Sequence, residues 1–525
     1  MKFIFIICIA FLNYFSASES LKAAEKINIK FEEMTIPIKI DQLSKIITSE
    51  ADSTELMDWL KGNRFQKILE LSKYLEFPLF KEGDFSKQVL RSWLGRKVLS
   101  EMSNTIIIPN DKNGVLVLNT IENLLDSNSK VSTLDILKTL PNQEITLDFD
   151  NLILIISSWK KKLAEQQNLV SKLNSLEEID KTFPFKHTKE LVKDKDIDIK
   201  PIKIQLKVDH RDKPLSIELW KSKKQNFDKE IIIFMPGFGG DIENFRWLGS
   251  KLSNNGWPIL FIEHDGSDSD ALKSFMDGDS ALPGGADFYL YRIKDLNAVI
   301  NAHKNGYFGE NNESYILMGH SLGSLIAFLH EGSDPIEGLN LRCDKALKDF
   351  ALTNLSKLLQ CQLSELSLPK LRRSNRLKAL IGFNTFGSLI WPNKKSLDIN
   401  APVLLIGGTY DLITPITGEQ LKVFSSITGN SLNRFLIIEG ASHFSPIRIK
   451  NKNFKKIYSD DVFKINETFI GHYPNDVQNL ALEVIIQFLN DIDNKKGLKV
   501  VKNQDKYNLK FHILDNQRVR DISSF

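Results

Sequence analysis

The sequence predicts an α/β architecture over residues 201–495, a mostly parallel sheet covered by helices on both faces, preceded by a mostly helical N-terminal domain. Three observations carry this. Short apolar runs alternate with helical patterns from Ile202 onward, a highly charged stretch separates them from what comes before, and one strand-to-helix junction contains G-x-S-x-G. At 525 residues and 42% hydrophobic content, the chain exceeds one ordinary core and has the apolar side chains for two. Its 69 basic and 66 acidic residues nearly cancel to +3, so nothing in the total calls for nucleic acid or another polyanion.

At the N-terminus, Met1-Lys2 precedes the apolar run Phe3 to Leu12, followed by Ser16-Ala17-Ser18-Glu19-Ser20. This is the layout of a secretory signal peptide over residues 1–20, shorter than the roughly 20 apolar residues of a membrane-spanning helix. Export to a periplasmic, lumenal or extracellular space is the expectation.

Residues 25–175 form the predicted N-terminal domain. Alternating Ile27, Ile29, Phe31 and Ile36, Ile38, Ile40 predict a strand pair, and Leu56–Tyr74, Gln88–Met102 and Leu152–Leu173 carry the three-and-four spacing of helices. No catalytic motif lies among them. Residues 176–200, centred on Lys193-Asp194-Lys195-Asp196, read as a linker.

Ile202–Val208 and Leu215–Trp220 then predict a hairpin. The runs Ile231–Met235, Pro258–Ile262, Tyr315–Met318, Leu377–Phe383, Pro402–Ile406 and Arg434–Ile438 complete an expected sheet of eight strands. In such sheets functional groups gather at the carboxyl ends of the strands.

The segment Tyr315-Ile316-Leu317-Met318-Gly319-His320-Ser321-Leu322-Gly323-Ser324 joins a strand, the pentapeptide and a helix start, the signature of a nucleophile elbow and of the α/β-hydrolase fold. A serine hydroxyl needs a base to take its proton, and this fold supplies the partners in the order Ser, Asp or Glu, His. Asp411 follows the strand Pro402–Ile406 and His443 follows Arg434–Ile438, so Ser321, Asp411 and His443 are the candidate nucleophile, orienting acid and general base. A lone Asp after a strand is usually a cap and a lone His usually structural; the pairing with the elbow favours catalysis. His472 and His512 are weaker rivals, lacking a preceding strand.

Acyl transfer also needs two N–H donors for the developing oxyanion. The backbone of Leu322 is one candidate. The loop Pro236-Gly237-Phe238-Gly239-Gly240 offers the other at Phe238, with Gly237 and Gly239 as alternatives. The same loop does not complete G-x-G-x-x-G, and the run Asp265, Asp268, Asp270, Asp277, Asp279 lacks the spacing of a calcium loop. No metal or organic cofactor is implied.

Residues 334–375 form an insertion rich in leucine, including Leu347, Leu355, Leu358, Leu359, Leu363 and Leu366, and predict a helical lid. Such a lid lines an acyl pocket or makes transient contact with a membrane surface; ordinary cap packing is the equal alternative. Cys343 and Cys361 flank its first part, either bridged or as two separate small apolar side chains. Residues 496–525 read as a C-terminal tail with no assigned role.

Ser321, Asp411 and His443, with Pro236-Gly237-Phe238-Gly239-Gly240 and Glu263-His264-Asp265-Gly266-Ser267, resemble a family of exported α/β hydrolases of oxygenic photosynthetic bacteria, often labelled predicted dienelactone hydrolases. That family joins an N-terminal domain of unknown function to a catalytic part similar to platelet-activating factor acetylhydrolase. The resemblance covers most of residues 25–490, including Leu352 to Gln362. It implies esterase or lipase-type chemistry; the dienelactone label does not fit, since those enzymes use cysteine where this chain has Ser321. Asp265 stands where the family's loop has proline.

The expected activity is therefore hydrolysis of a small-molecule or lipid carboxylic ester through an acyl-enzyme on Ser321. The alternatives are a serine peptidase or acyltransferase with the same triad, and a non-catalytic lipid- or partner-binding protein on a hydrolase scaffold. The sequence leaves the oligomeric state open.

Overall fold

A computed structural model describes residues 26–31, 34–41, 75, 78–81, 103–109, 111, 114–127, 130–141, 145–176, 199–222, 229–271, 287–309, 312–331, 334–348, 354, 356–368, 374–392, 397–428, 430–448 and 474–522. Chain contacts divide it into two units, residues 1–90 with 96–154, and residues 91–95 with 155–525. The division falls upstream of the charged stretch where the sequence places a linker; residues 177–198 lie outside the described residues, as does the segment 1–20.

In the first unit, β1 (Lys26–Phe31) pairs antiparallel with β2 (Met34–Lys39), Ile29 opposite Ile36. Alternation buries Ile27, Ile29 and Phe31 on one face. Then come β3 (Pro78–Lys81), β4 (Ile106–Ile107), α1 (Val115–Ser127), β5 (Lys130–Ser132), α2 (Thr133–Thr139) and β6 (Ile145–Asp148). The strands form a sheet of order β2-β1-β6-β4 and a separate β3-β5 pair. Ser132 and Asp135 close α2 with a reciprocal capping box. The helices expected at 56–74 and 88–102 fall outside the described residues, and among the described ones this unit holds as much sheet as helix.

The long helix α3 (Phe149–Ser175) leads into the second unit. There β7 (Ile202–Leu206), β8 (Leu215–Trp220), β9 (Ile231–Met235), β10 (Ile259–Ile262), β11 (Tyr315–His320), β12 (Leu377–Phe383), β13 (Val403–Gly408), β14 (Arg434–Ile438), β15 (Val501–Lys506) and β16 (Leu509–Leu514) form one sheet, ordered β15-β16-β14-β13-β12-β11-β9-β10-β8-β7. The strands from β10 to β14 run parallel, and the flanking pairs are antiparallel.

The central strands are apolar throughout because both faces are covered. Ile231, Ile233 and Met235 enter one core cluster, while Ile232 and Phe234 enter the other. Helices α4 (Arg246–Asn254), α5 (Asp287–Lys304), α6 (Leu322–His330), α7 (Leu339–Lys348), α8 (Ser356–Gln362), α9 (Leu421–Ser426), α10 (Pro474–Asp493) and α11 (Asn516–Ile522) complete this unit's described helices.

Two expectations are corrected here. The sheet has ten strands where the sequence predicts eight, because residues 501–514 are the hairpin β15–β16 rather than part of a tail. Leu509, Phe511 and Ile513 are buried, and β16 pairs antiparallel with β14, so the hairpin extends that side of the sheet. No helix among the described residues is long and apolar enough to cross a membrane.

Candidate active site

The site is assembled at the carboxyl ends of the parallel strands. Chain reversal between β11 and α6 forces Ser321 to φ 53°, ψ −116°, a conformation that a non-glycine residue adopts only under strain. Ser321 N–H donates to Phe383 O at 2.8 Å, fastening the turn to the neighbouring strand β12. The elbow glycines have no room for a side chain. A Cβ on Gly319 would lie 2.3 Å from the Gly323 carbonyl carbon, and one on Gly323 would lie 2.0 Å from Met235 O.

Asp411 stands in the loop after β13 and is wholly buried. His443 stands after β14, and its Nδ1 donates to Asp411 at 3.0 Å to Oδ2 and 3.2 Å to Oδ1. The loops approach this closely because β13 ends in Gly407-Gly408: a Cβ at Gly408 would meet Ala441 O at 2.0 Å, and one at Gly407 would meet Gln420 Oε1 at 1.6 Å.

The Asp411 carboxylate also accepts from Ile413 N, Thr414 N, Asn384 Nδ2, Gln420 Nε2 and the Thr414 hydroxyl. Burial works to raise its pKa, but the His443 charge and these hydrogen bonds outweigh it and hold the group below its ordinary value. It is therefore an ionised acceptor for the Nδ1–H of His443, which orients the imidazole ring.

His320, the residue before Ser321, packs against this pair. The His320 ring lies 4.8 Å from the His443 ring, and His320 Nε2 donates to His443 O at 3.0 Å. Burial, then the neighbouring His443, pushes the His320 pKa down to about 3, so it stays neutral and structural. Among the described residues no hydrogen bond joins the Ser321 hydroxyl to the His443 imidazole, whose Nδ1 faces Asp411 and Thr414. Resting nucleophile–base pairs commonly tighten only when substrate binds.

The Pro236–Gly240 loop lies against the elbow. A Cβ on Gly237 would sit 3.3 Å from Ser321 Cβ and 3.0 Å from His320 Nδ1, which brings the residue next to Phe238 against Ser321. Leu322 is the first residue of α6, where a backbone N–H has no partner within its own helix. Gly239 N–H donates to Ser267 O, linking this loop to the His264–Ser267 loop.

Cys343 on α7 and Cys361 on α8 are joined by a disulfide, with Cα atoms 5.5 Å apart. The insertion is tied down near Asp411: Ser356 N–H donates to Ile413 O, while Asn354 Nδ2 and Gln360 Nε2 donate to the buried Glu419. Glu419 and Gln420 are consecutive in a π-helical turn (Ile416–Gln420), so adjacent residues hold the insertion and Asp411. Leu359 and Leu363 are buried and Leu358 and Leu366 half-buried; Leu355 lies outside the described residues, and Leu347 is placed in α7 without a described side chain.

Of the rival histidines, His512 sits on β16 rather than off a strand, with Nε2 2.8 Å from Glu439 Oε1; His472 is outside the described residues. The sequence reading missed Asn384, Thr414, Gln420 and His320. Among these only His320, inside the G-x-S-x-G pentapeptide, has a place in a sequence motif. Among the described residues no group of three or more His, Cys, Asp or Glu side chains is placed to hold a metal ion.

Residues 23–148 match the family described as alpha/beta hydrolase of unknown function (DUF1400), a match that lies upstream of Ser321, Asp411 and His443. Over 233 residues, 44% of the chain, it is 24% identical to cutinase est2 of Thermobifida alba, spanning 57% of that protein. It is 21% identical over 234 residues to cutinase 1 of Thermobifida cellulosilytica, spanning 65% of it, and to the cutinase of Thermobifida fusca, spanning 57%. The chain thus covers less than two thirds of the length of these relatives. With these similarities and this sheet, the chain has the α/β-hydrolase fold with an additional N-terminal unit.

Proposed function

We propose that the protein is a serine hydrolase of carboxylic esters, lipid esters among them. The observation that carries the reading is the strained Ser321 elbow, whose preceding residue His320 packs on the buried Asp411–His443 pair at the carboxyl ends of the strands. The likeness to proteins named cutinases, which are ester hydrolases, supports the same reaction class.

In this mechanism Ser321 Oγ attacks the ester carbonyl carbon as its proton passes to His443 Nε2. The carbonyl oxygen becomes an oxyanion held by the N–H groups of Phe238 and Leu322, each such donor worth about a hundredfold or more in rate. Collapse breaks the bond to the alkoxy oxygen, which leaves as the alcohol with the His443 proton. A water then gives its proton to His443 and attacks the acyl-enzyme, releasing the acid and restoring Ser321. Asp411 holds the imidazole tautomer through both halves.

The insertion at 334–375 serves as the cover of the acyl pocket, and the chain is exported through residues 1–20. The similarity of the catalytic part to platelet-activating factor acetylhydrolase is part of this proposal and rests on the sequence motifs. Hydrolysis of p-nitrophenyl esters of increasing chain length, beside matched anilides and added alcohol acceptors, tests it. Esters should turn over in preference to anilides without net transfer to alcohol, and Ser321→Ala should remove activity by on the order of a millionfold. Preferred amide cleavage, or dominant transfer to alcohol, would replace the esterase reading.

A further inference from the structure

Arg292 on α5 is wholly buried, yet none of its hydrogen bonds goes to a carboxylate. Nε donates to Ser267 Oγ at 2.8 Å, one terminal nitrogen to Pro236 O at 2.7 Å, and the other to Gly237 O at 2.9 Å and Ser267 O at 3.2 Å. Removing a guanidinium from water is costly unless charged partners or good hydrogen bonds offset it. Here the offset comes from backbone carbonyls of two loops, Pro236–Gly240 and His264–Ser267, the first of which lies against Ser321.

We infer that Arg292 is a positioning residue for ester cleavage, orienting the Gly237–Phe238 peptide so that the Phe238 N–H meets the oxyanion formed on the Ser321 acyl centre. The argument is one of peptide geometry. Gly237 O and Phe238 N–H belong to a single planar unit, the described chain contains no cis peptide bond, and in a trans unit the two groups point in opposite directions. Turning Gly237 O toward Arg292 turns the Phe238 N–H away from it. The Pro236 carbonyl, held by the same guanidinium, fixes the preceding unit in the same way, so the loop cannot rotate one peptide without losing a charge-assisted bond.

A second charged side chain one turn along α5 fixes the other loop. Asp295, buried, accepts from His264 Nδ1 at 2.8 Å and from Arg211 at 2.6 Å. Ser267 O accepts from both Arg292 and Gly239 N–H, joining the two loops. Burial draws the Arg292 pKa down to about 10, which still leaves it charged at neutral pH. Arg292 bonds to the loop backbones and to Ser267 Oγ and not to Ser321, Asp411 or His443, so its effect on the reaction is indirect.

The inference rests on the ester-hydrolysis reading, and the experiment separates the two. Steady-state kinetics are measured for wild type, Ser321→Ala, Arg292→Met, Arg292→Lys and Ser267→Ala on p-nitrophenyl butyrate and on its thionoester, whose sulfur is a poor acceptor for oxyanion-hole donors. Wild type should prefer the oxygen ester strongly. Arg292→Met should lose about a hundredfold in kcat with KM changed by less than about threefold, and its preference for the oxygen ester should collapse toward unity. Arg292→Lys, which keeps a cation but not the fork, should fall between.

A merely structural role would lower both esters alike and leave the ratio untouched. A folded Arg292→Met enzyme with the wild-type ratio overturns the inference while the esterase reading stands. Should that variant not fold, wild-type ratios in both Arg292→Lys and Ser267→Ala overturn it equally. If wild-type turnover survives Ser321→Ala, the esterase reading is what has failed.

Discussion

Replacing Asp411 by asparagine changes one oxygen to an amide nitrogen and little else in shape, so its effect reads the electrostatics of the site directly. In the folded chain every neighbour of this carboxylate is a donor. Oδ1 accepts from the N–H groups of Ile413 and Thr414, and Oδ2 accepts from Asn384, Gln420 and the Thr414 hydroxyl, while His443 Nδ1 spans both. An amide nitrogen in the Oδ1 place faces two backbone N–H groups that cannot turn round. In the Oδ2 place it faces two side-chain amides, and flipping Gln420 to offer its oxygen would leave Thr414 O without its donor. Either way at least two buried donors lose an acceptor, at about 1–3 kcal/mol each, so a stability loss of about 2–6 kcal/mol is expected.

The kinetic loss has a separate origin. Facing an amide N–H, the imidazole is driven to the tautomer with its proton on Nε2, which cannot take the Ser321 proton. The corresponding change in a known triad lowers kcat by about ten-thousandfold, or about 5.4 kcal/mol at 1.36 kcal/mol per decade. Hydrolysis of p-nitrophenyl butyrate with parallel urea unfolding measures both numbers. Asp411→Asn enzyme that remains folded with kcat within about tenfold of wild type would refute the assignment of Asp411 as the residue that orients His443.

Three further outcomes follow from other parts of the molecule. Burial raises the Glu263 pKa from 4.5 to about 8, against the Ile242 N–H that favours its charge; the stabilising preference for the bound proton is complete below 4.5 and is lost as pH rises through about 8, so Glu263→Gln should gain in melting temperature over wild type across that window, and parallel melting curves would contradict this. Gly323→Ala, whose Cβ would overlap Met235 O, should abolish soluble active protein, whereas Gly266→Ala, at φ 86° with nothing within 4 Å, should cost only about 1 kcal/mol of backbone strain, both read from soluble yield and melting. Removing the Cys343–Cys361 bridge by a double serine change, across a sequence separation of 18, should lower unfolding free energy by about 3 kcal/mol in denaturant titrations, with an unchanged midpoint as the contrary result.

Much of this fold is legible in the sequence because its central strands are buried on both faces, and selection for such positions leaves unbroken runs such as Ile231–Met235 and Val403–Ile406. The elbow is legible for a similar reason: Gly319 and Gly323 are demanded by backbone atoms that belong to the same motif or to the strand beside it. The C-terminal hairpin is harder to read. Its edge strand Val501–Lys506 is largely polar, and only the alternation Leu509, Phe511, Ile513 after the left-handed Tyr507-Asn508 turn hints at a strand. The shell around Asp411 is hidden for another reason. Asn384, Thr414 and Gln420 are single polar residues with no fixed spacing to Ser321, and Arg292 lies in a helix with no motif at all; only the fold brings them to the site.

The measurement that bears most directly on the central claim is active-site labelling with a fluorophosphonate followed by peptide mass mapping. Ser321 should take one phosphonyl group per folded chain, and His443→Ala, lacking the base that accepts the hydroxyl proton, should label orders of magnitude more slowly. Folded wild-type protein that takes no label at Ser321, or that labels equally fast without the His443 imidazole, would contradict the account.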